Sequence, residues 1–310
     1  MMRNKLCPKN NTKSGFRHFW KQYGTGYLMM TPFAVLFLAF VILPVFIALF
    51  LSFTDYNMFQ KISFVGFNNY KLLILDDDIF LKAISNTMIF AIIVGPLGYI
   101  MSFLMAWVIS GFRHKNALTL AFYAPSIVSG IAISTVWMYI FSSDSYGLIN
   151  NFLISLGLID DPILWNTDPQ YILAVIIIIS AWQSMGNGFL VFIAGFQNAD
   201  HSVYEAGAID GVPSRFKELI YLTIPQMKPQ LLFGAINAIA GAFGVFDIAV
   251  SVAGMPSPNY AGHTIVAHLY DYAFIRFQMG YASSIATVLF LITFLTGKGV
   301  MRLLSDKKKG

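Results

Sequence analysis

Six apolar stretches, each long enough for about 20 helical residues, decide what this chain can fold into. A bilayer core offers no water to unpaired backbone groups, so a crossing segment closes its hydrogen bonds internally as a helix of that length. The stretches fall at roughly 27–52, 86–110, 118–141, 171–196, 230–252 and 281–303. The first contains LFLAFVILPVFIALF and the fourth ILAVIIIISAW. Only 11% of the 310 residues are charged, against about 25% in an ordinary soluble domain. The predicted fold is therefore all-α and polytopic. A basic tail (1–26) precedes a six-span membrane domain (27–304), and a short basic tail (305–310) follows it.

The positions of Lys and Arg give the orientation. With the N-terminus inside, sixteen of the twenty basic residues fall on the inner side. The outer loops keep only Lys61, Lys71, Lys82 and Arg276, while Asp76, Asp77, Asp78, Asp160, Asp161 and Asp168 all lie outside. Both termini are expected in the cytoplasm of a bacterial cell, with the chain in its inner membrane. The first apolar run exceeds a signal-peptide core and has no small-residue cleavage site after it, so it reads as an uncleaved helix. The tail before it carries six basic and no acidic residues. It reads equally as an amphipathic segment on anionic lipid or as an unstructured topology signal.

Several functions are disfavoured by what is missing. A lone cysteine, Cys7, excludes an internal disulfide framework. The chain has no phosphate-binding GxxxxGK[ST] loop, no GxSxG nucleophile elbow and no His/Cys cluster at metal spacing. It has neither a potassium-filter sequence nor paired Asn-Pro-Ala, and no detectable inverted repeat. The basic residues flank apolar spans instead of gathering on one face, so nucleic acid is not an expected partner. No catalytic residue, metal ligand or cofactor site is predicted; any energy source is expected on another subunit.

The loop 197–229, predicted cytoplasmic, holds the polar run YEAGAIDGVPSRFKELIYLTIP (204–225). Val203–Asp210 suits two helical turns. Gly211 can end them in a left-handed conformation, and Pro213 suits the first turn of a new helix. That second helix is expected to carry Phe216, Leu219 and Ile220 on one face, with Pro225 and Pro229 leading into the fifth span. By spacing alone the segment is either a turn with amphipathic pieces lying on lipid or a lever on which another protein pushes.

Its residues resemble the EAA loop of ABC importer permeases. Glu205-Ala206-Gly207, then Asp210-Gly211, then Ile224-Pro225 follow that order. Gly207 replaces the family's second Ala, and the proline falls one residue later than in many members. Further motifs resemble carbohydrate-uptake permeases of the maltose type: Phe64-Val65-Gly66-Phe67-Asn68-Asn69-Tyr70, Asn86-Thr87, Tyr146-Gly147-Leu148-Ile149-Asn150, and Trp182-Gln183-Ser184-Met185-Gly186 leading to Ala194-Gly195-Phe196-Gln197. The resemblance implies a coupling helix docked in a groove of a cytoplasmic ATPase. Glu205 would be the charged contact and Gly211 the bend, with Ala206, Ala208 and Phe216 in the groove. It also implies a second homologous permease, two ATPase subunits, an extracytoplasmic solute-binding protein and alternating access driven by ATP. A non-sugar substrate such as a glycerol phosphodiester or peptide is the alternative within the family; an energy-independent channel or scaffold is the alternative outside it.

Polar residues inside spans are costly and face cavities or other helices. Trp182, Gln183 and Asn187 in span four and Asn237 in span five are the candidate sugar contacts, since sugars present apolar C–H faces and many hydroxyls. Each is equally a candidate for helix-to-helix glue. Asp247 reads as a wetted residue near the end of span five. Pro44, Pro96 and Pro125 are expected to kink their spans.

Overall fold

A computed structural model describes residues 12–112, 115–212 and 214–304; within these, the side chains of residues 12–21, Pro125, Met185 and Asn187 are not described. Cys7, most of the basic N-terminal tail, Pro213 and the 305–310 tail lie outside the described residues. The described residues are almost entirely helical, with one isolated β-bridge between Thr54 and Phe64.

Five helical stretches are long and apolar enough to cross a membrane: Gln22–Leu51, Asp78–Ser110, Pro169–Gln197, Lys228–Ala253 and Met279–Leu304. The first is built from α1 (Thr12–Phe37), a π turn (Leu38–Ile42) and α2 (Leu43–Leu51), with Pro44 opening α2. No part of its most apolar window is buried. α2 meets the chain at α15 (Met279–Leu304).

The second span is α4 (Asp78–Ser110), capped by the Asp77 carboxylate, which accepts from Phe80 N–H at 2.9 Å. Pro96 lies inside it without ending it. The fourth is α8 (Pro169–Gln197), capped by Asp168 with Pro169 at its first position, where a missing N–H costs nothing. α4 and α8 share the largest helix–helix contact. Phe90, Ile172, Ile176, Ile179, Phe243 and Ala249 form one core cluster; Phe103, Ile109, Phe189, Phe192 and Met227 form a second.

The expected third span, 118–141, is two helices instead of one: α5 (Lys115–Ile127) and α6 (Gly130–Ile140). Pro125 has no N–H for the helical ladder. Two residues later the chain leaves the helix, with Ser129 extended at φ −53° and ψ 137°. Gly130 then passes so near Asp247 that an added Cβ would lie 3.3 Å from the Asp247 Cβ. The expected kink is thus a full break. The fifth span is also divided, into α12 (Lys228–Phe243) and α13 (Asp247–Ala253).

The extramembrane motifs serve architecture. In the loop after α2, Asn69, at the start of α3 (Asn68–Leu75), donates to Ser52 O and Thr54 O at 2.9 and 2.8 Å. Asn86 donates to Tyr260 O and His263 O, and Thr87 Oγ1 accepts from Ile265 N–H at 3.0 Å. Asn150, in α7 (Leu148–Ser155), donates to Ser142 O, Asp144 O and Ile163 O and accepts from Ile163 N–H and Trp165 Nε1. A buried amide with all its bonds made holds an irregular loop in one shape.

The sequence scattered its histidines, but folding joins two of them. His268, on α14 (Ile265–Tyr270), lies 3.0 Å from Asp77 Oδ2, and its other ring nitrogen is 3.3 Å from His263. Tyr281 donates to the same carboxylate at 2.8 Å. Burial opposes the Asp77 charge, but the bonds from His268, Phe80 N–H and Tyr281 outweigh it and hold the carboxyl down at about 2.

Candidate functional site

Two places collect polar groups that the fold does not consume. The first is a cavity of about 440 Å³ walled by α4, α8, α12, the α5–α6 break and the turn into α13. Ser180, Gln183, Ser184 and Gly188 face it from α8, spaced so that they share one side of a helix. From α12 come Asn237 and Gly241, and from the turn Asp247. The side chains of Gln183, Asn237 and Asp247 have no hydrogen-bond or ion-pair partner among the described residues, and Ser180 Oγ is buried without one. Amides, a hydroxyl and a carboxylate with free valences suit a hydroxyl-rich solute, which both donates and accepts.

Small residues make the cavity possible. α4 and α8 cross where Gly98 meets Ser184, and a Cβ on Gly98 would collide with that side chain. Gly186 meets Ser126 in the same manner. Gly234 approaches the Phe192 ring, where an added Cβ would stand 2.8 Å from Cζ.

Of the four candidate sugar contacts, Gln183 and Asn237 line this cavity. Trp182 does not: it meets Trp137 edge-on, with ring centroids 5.5 Å apart. The Asn187 side chain lies outside the described ones. Ser180 was missed, although the Ser180–Gln183–Ser184 spacing carries the signal. Asp247, read as a wetted span end, lines the cavity.

The second place is the EAA-like segment. α9 (His201–Ile209) begins at Asp200, whose side chain accepts from Ser202 N–H at 2.9 Å. It ends in a Schellman pair: Gly211 N–H to Ala208 O at 3.3 Å and Val212 N–H to Gly207 O at 3.0 Å. Gly211 sits at φ +78°, the left-handed region that favours glycine. One face of α9 is fastened. Gly207 is buried, and a Cβ there would come within 2.6 Å of Leu222 Cδ1, so an Ala needs the Leu222 side chain to move aside. Tyr204 Oη bonds Thr223 Oγ1 at 3.1 Å, and Gln226 Oε1 accepts from Asp200 N–H at 3.0 Å. The other face is bare: Glu205, Ala206, Ala208 and Asp210 are exposed, and Ile209 is 87% exposed.

The expected second amphipathic helix takes a different form. Ser214 caps α10 (Arg215–Glu218), which runs into a π turn (Leu219–Thr223) and then α11 (Ile224–Gln226), with Pro225 at its N-terminus and exposed. A π turn spends one residue more than an α turn, which matches the one-residue delay of Pro225. Thr223 Oγ1 donates to Glu218 O at 3.3 Å across it. The expected face is parted: Leu219 is buried in the second core cluster while Phe216 (61%) and Ile220 (42%) are exposed.

Comparison with known proteins agrees with these features. Residues 96–310 match the family described as "Binding-protein-dependent transport system inner membrane component". The chain is 32% identical over 273 residues to the probable ABC transporter permease protein YesP of Bacillus subtilis (strain 168), covering 87% of each chain. It is 32% identical to the lactose transport system permease protein LacF of Rhizobium radiobacter, covering 86% of this chain and 89% of that one. With the arabinooligosaccharides transport system permease protein AraP of Bacillus subtilis (strain 168) it shares 28% over 98% of its length and 94% of that protein. A chain of a solved bacterial ABC transporter involved in the import of the acidic polysaccharide alginate has the same fold, with TM-score 0.74 and 22% identity over 94% of this chain and 99% of that chain. This multi-pass chain therefore belongs to the binding-protein-dependent transport system inner membrane component family, the permeases of ABC transporters.

Proposed function

We propose that this chain is the membrane permease of an ATP-driven, solute-binding-protein-dependent importer of a sugar or oligosaccharide. The observation that carries the reading is α9, fastened on one face to the Leu219–Gln226 arm and bare on the other. A short capped helix with exposed Glu205, Ala206, Ala208 and Ile209 is a docking face for a second protein. Its ties at Gly207, Tyr204 and Asp200 transmit a push to the arm that leads into α12. Both termini and α9 face the cytoplasm, where the basic residues concentrate.

In this reading two ATPase subunits close on ATP, α9 moves as a rigid body, and the spans tilt between inward and outward access. A second, homologous permease completes the pathway, and an extracytoplasmic solute-binding protein delivers the substrate. Relatives named for lactose and arabinooligosaccharide transport support the sugar assignment. So do the free amides of Gln183 and Asn237 in the cavity wall.

The test is ATP-driven uptake and ATPase copurification in Glu205→Ala and Gly211→Pro, the second of which demands a φ that Gly211 does not have. Loss of uptake together with a loosened ATPase is expected. Normal uptake and association in both variants would remove the docking role of α9. A homo-oligomer that purifies with no ATPase under mild detergent would favour a channel or scaffold. A thermal-shift screen of the cognate binding protein separates sugars from phosphodiesters and peptides.

A further inference from the structure

The segment around α9 encloses a second cavity, of about 360 Å³, which the transport reading does not use. Its wall joins the end of α4, the start of α5, the end of α8, α9 and α10. Lys115 and Arg215 reach it from positions a hundred residues apart, together with His201 and Gln197. The Arg215 guanidinium lies over Gly111, where an added Cβ would be 2.7 Å from a terminal nitrogen. Lys115, Arg215 and the single carboxylate, Glu218, have no ion-pair partner among the described residues. The hydroxyls of Ser110 and Thr119 already donate to their own helices. Trp107 and Phe196 close the apolar side.

We infer that this cavity binds a phosphate carried on a polyol, with Lys115 and Arg215 on the phosphate and Glu218 on the hydroxyls. Two cations suit an anion with several acceptor oxygens. An unpaired carboxylate beside them repels a bare phosphate but accepts from hydroxyl donors. Two sources share that chemistry: the glycerol headgroup of phosphatidylglycerol and a soluble sugar phosphate. Either would occupy the space beneath α9 and bias its position. The inference rests on the proposed orientation only in that the cavity opens to the inner leaflet and cytosol.

The test uses the assembled transporter, this chain with its native partners, in nanodiscs. The arms are phosphatidylcholine alone, phosphatidylcholine with phosphatidylglycerol, phosphatidylcholine with phosphatidic acid, and phosphatidylcholine with glucose 6-phosphate in solution. Native mass spectrometry counts the bound species and thermal shift gives the affinity. The expected result is retention of phosphatidylglycerol or glucose 6-phosphate, weakened roughly tenfold by Lys115→Gln or Arg215→Gln. Glu218→Gln is expected to raise phosphatidic acid to parity. Lys115 is exposed and outside the EAA-like segment, so its variant separates binding from folding. Equal retention in wild type and Lys115→Gln, or preference for phosphatidic acid in wild type, overturns the proposal. Intact uptake alongside such a result leaves the transport reading standing.

Discussion

Gly211 allows the α9 turn to be tested by conformation alone. Its φ of +78° suits glycine, and a Cβ added there meets nothing within 4 Å. Gly211→Ala therefore introduces no clash, and its cost is that of forcing an L-residue into the left-handed region, about 1–2 kcal/mol. That corresponds to roughly a 5- to 30-fold smaller population of the intact turn. Gly211→Asn pays less, because Asn tolerates this region. Uptake into vesicles and ATPase pull-down should then fall in the order glycine, asparagine, alanine. If the empty space is filled by the docked ATPase, the larger side chain is worse and the order becomes glycine, alanine, asparagine. Alanine indistinguishable from glycine in both assays refutes the idea that this turn sets the position of α9.

Gly98→Ala should cost about 1–3 kcal/mol by overpacking against Ser184, and Ser184→Gly in the same chain should recover much of it, as measured by melting temperature of the purified complex. Gln183→Ala and Asn237→Ala should each weaken sugar uptake by about 0.5–1.5 kcal/mol, roughly two- to tenfold in KM, with assembly unchanged. Asn150→Ala removes a buried amide with five bonds to the surrounding loop; a loss of about 2–4 kcal/mol should appear as new protease cleavage between 142 and 165. His263 is buried, which with the neighbouring His268 pushes its pKa down from 6.5 to about 4. The unfolded chain thus takes up the proton first, and stability falls between pH 6.5 and 4, by up to roughly 3 kcal/mol. His263→Asn should flatten that slope. The depressed Asp77 carboxyl adds a further loss only below about pH 4, as acid protonates it toward its folded value of about 2.

Five of the expected spans were legible because an uninterrupted apolar run of that length has few other solutions. The third was legible only in part: Pro125 marked a kink, but apolar periodicity does not separate a kinked span from the full break seen after Ile127. The end of α9 was readable at Gly211, where one residue type meets one backbone need. The expected face of the following helix parts because Leu219 joins the core cluster of Phe103, Ile109 and Phe192, a tertiary contact that local periodicity does not record. Trp182 packs on Trp137 and is not in the cavity lining, a pairing across helices that the local sequence does not record. The Asp77–His268 contact spans 191 residues, and no local pattern announces it.

The break between α5 and α6 leaves the last carbonyls of one helix and the first amides of the next without helical partners, and Ser129 supplies no side-chain cap. Ser126, Val128 and Gly130, at this break, line the 440 Å³ cavity. Those groups need a partner at every moment of a working cycle, and stranding them costs several kcal/mol each. Water filling the cavity can satisfy such groups, so the break favours a wet chamber over a dry one.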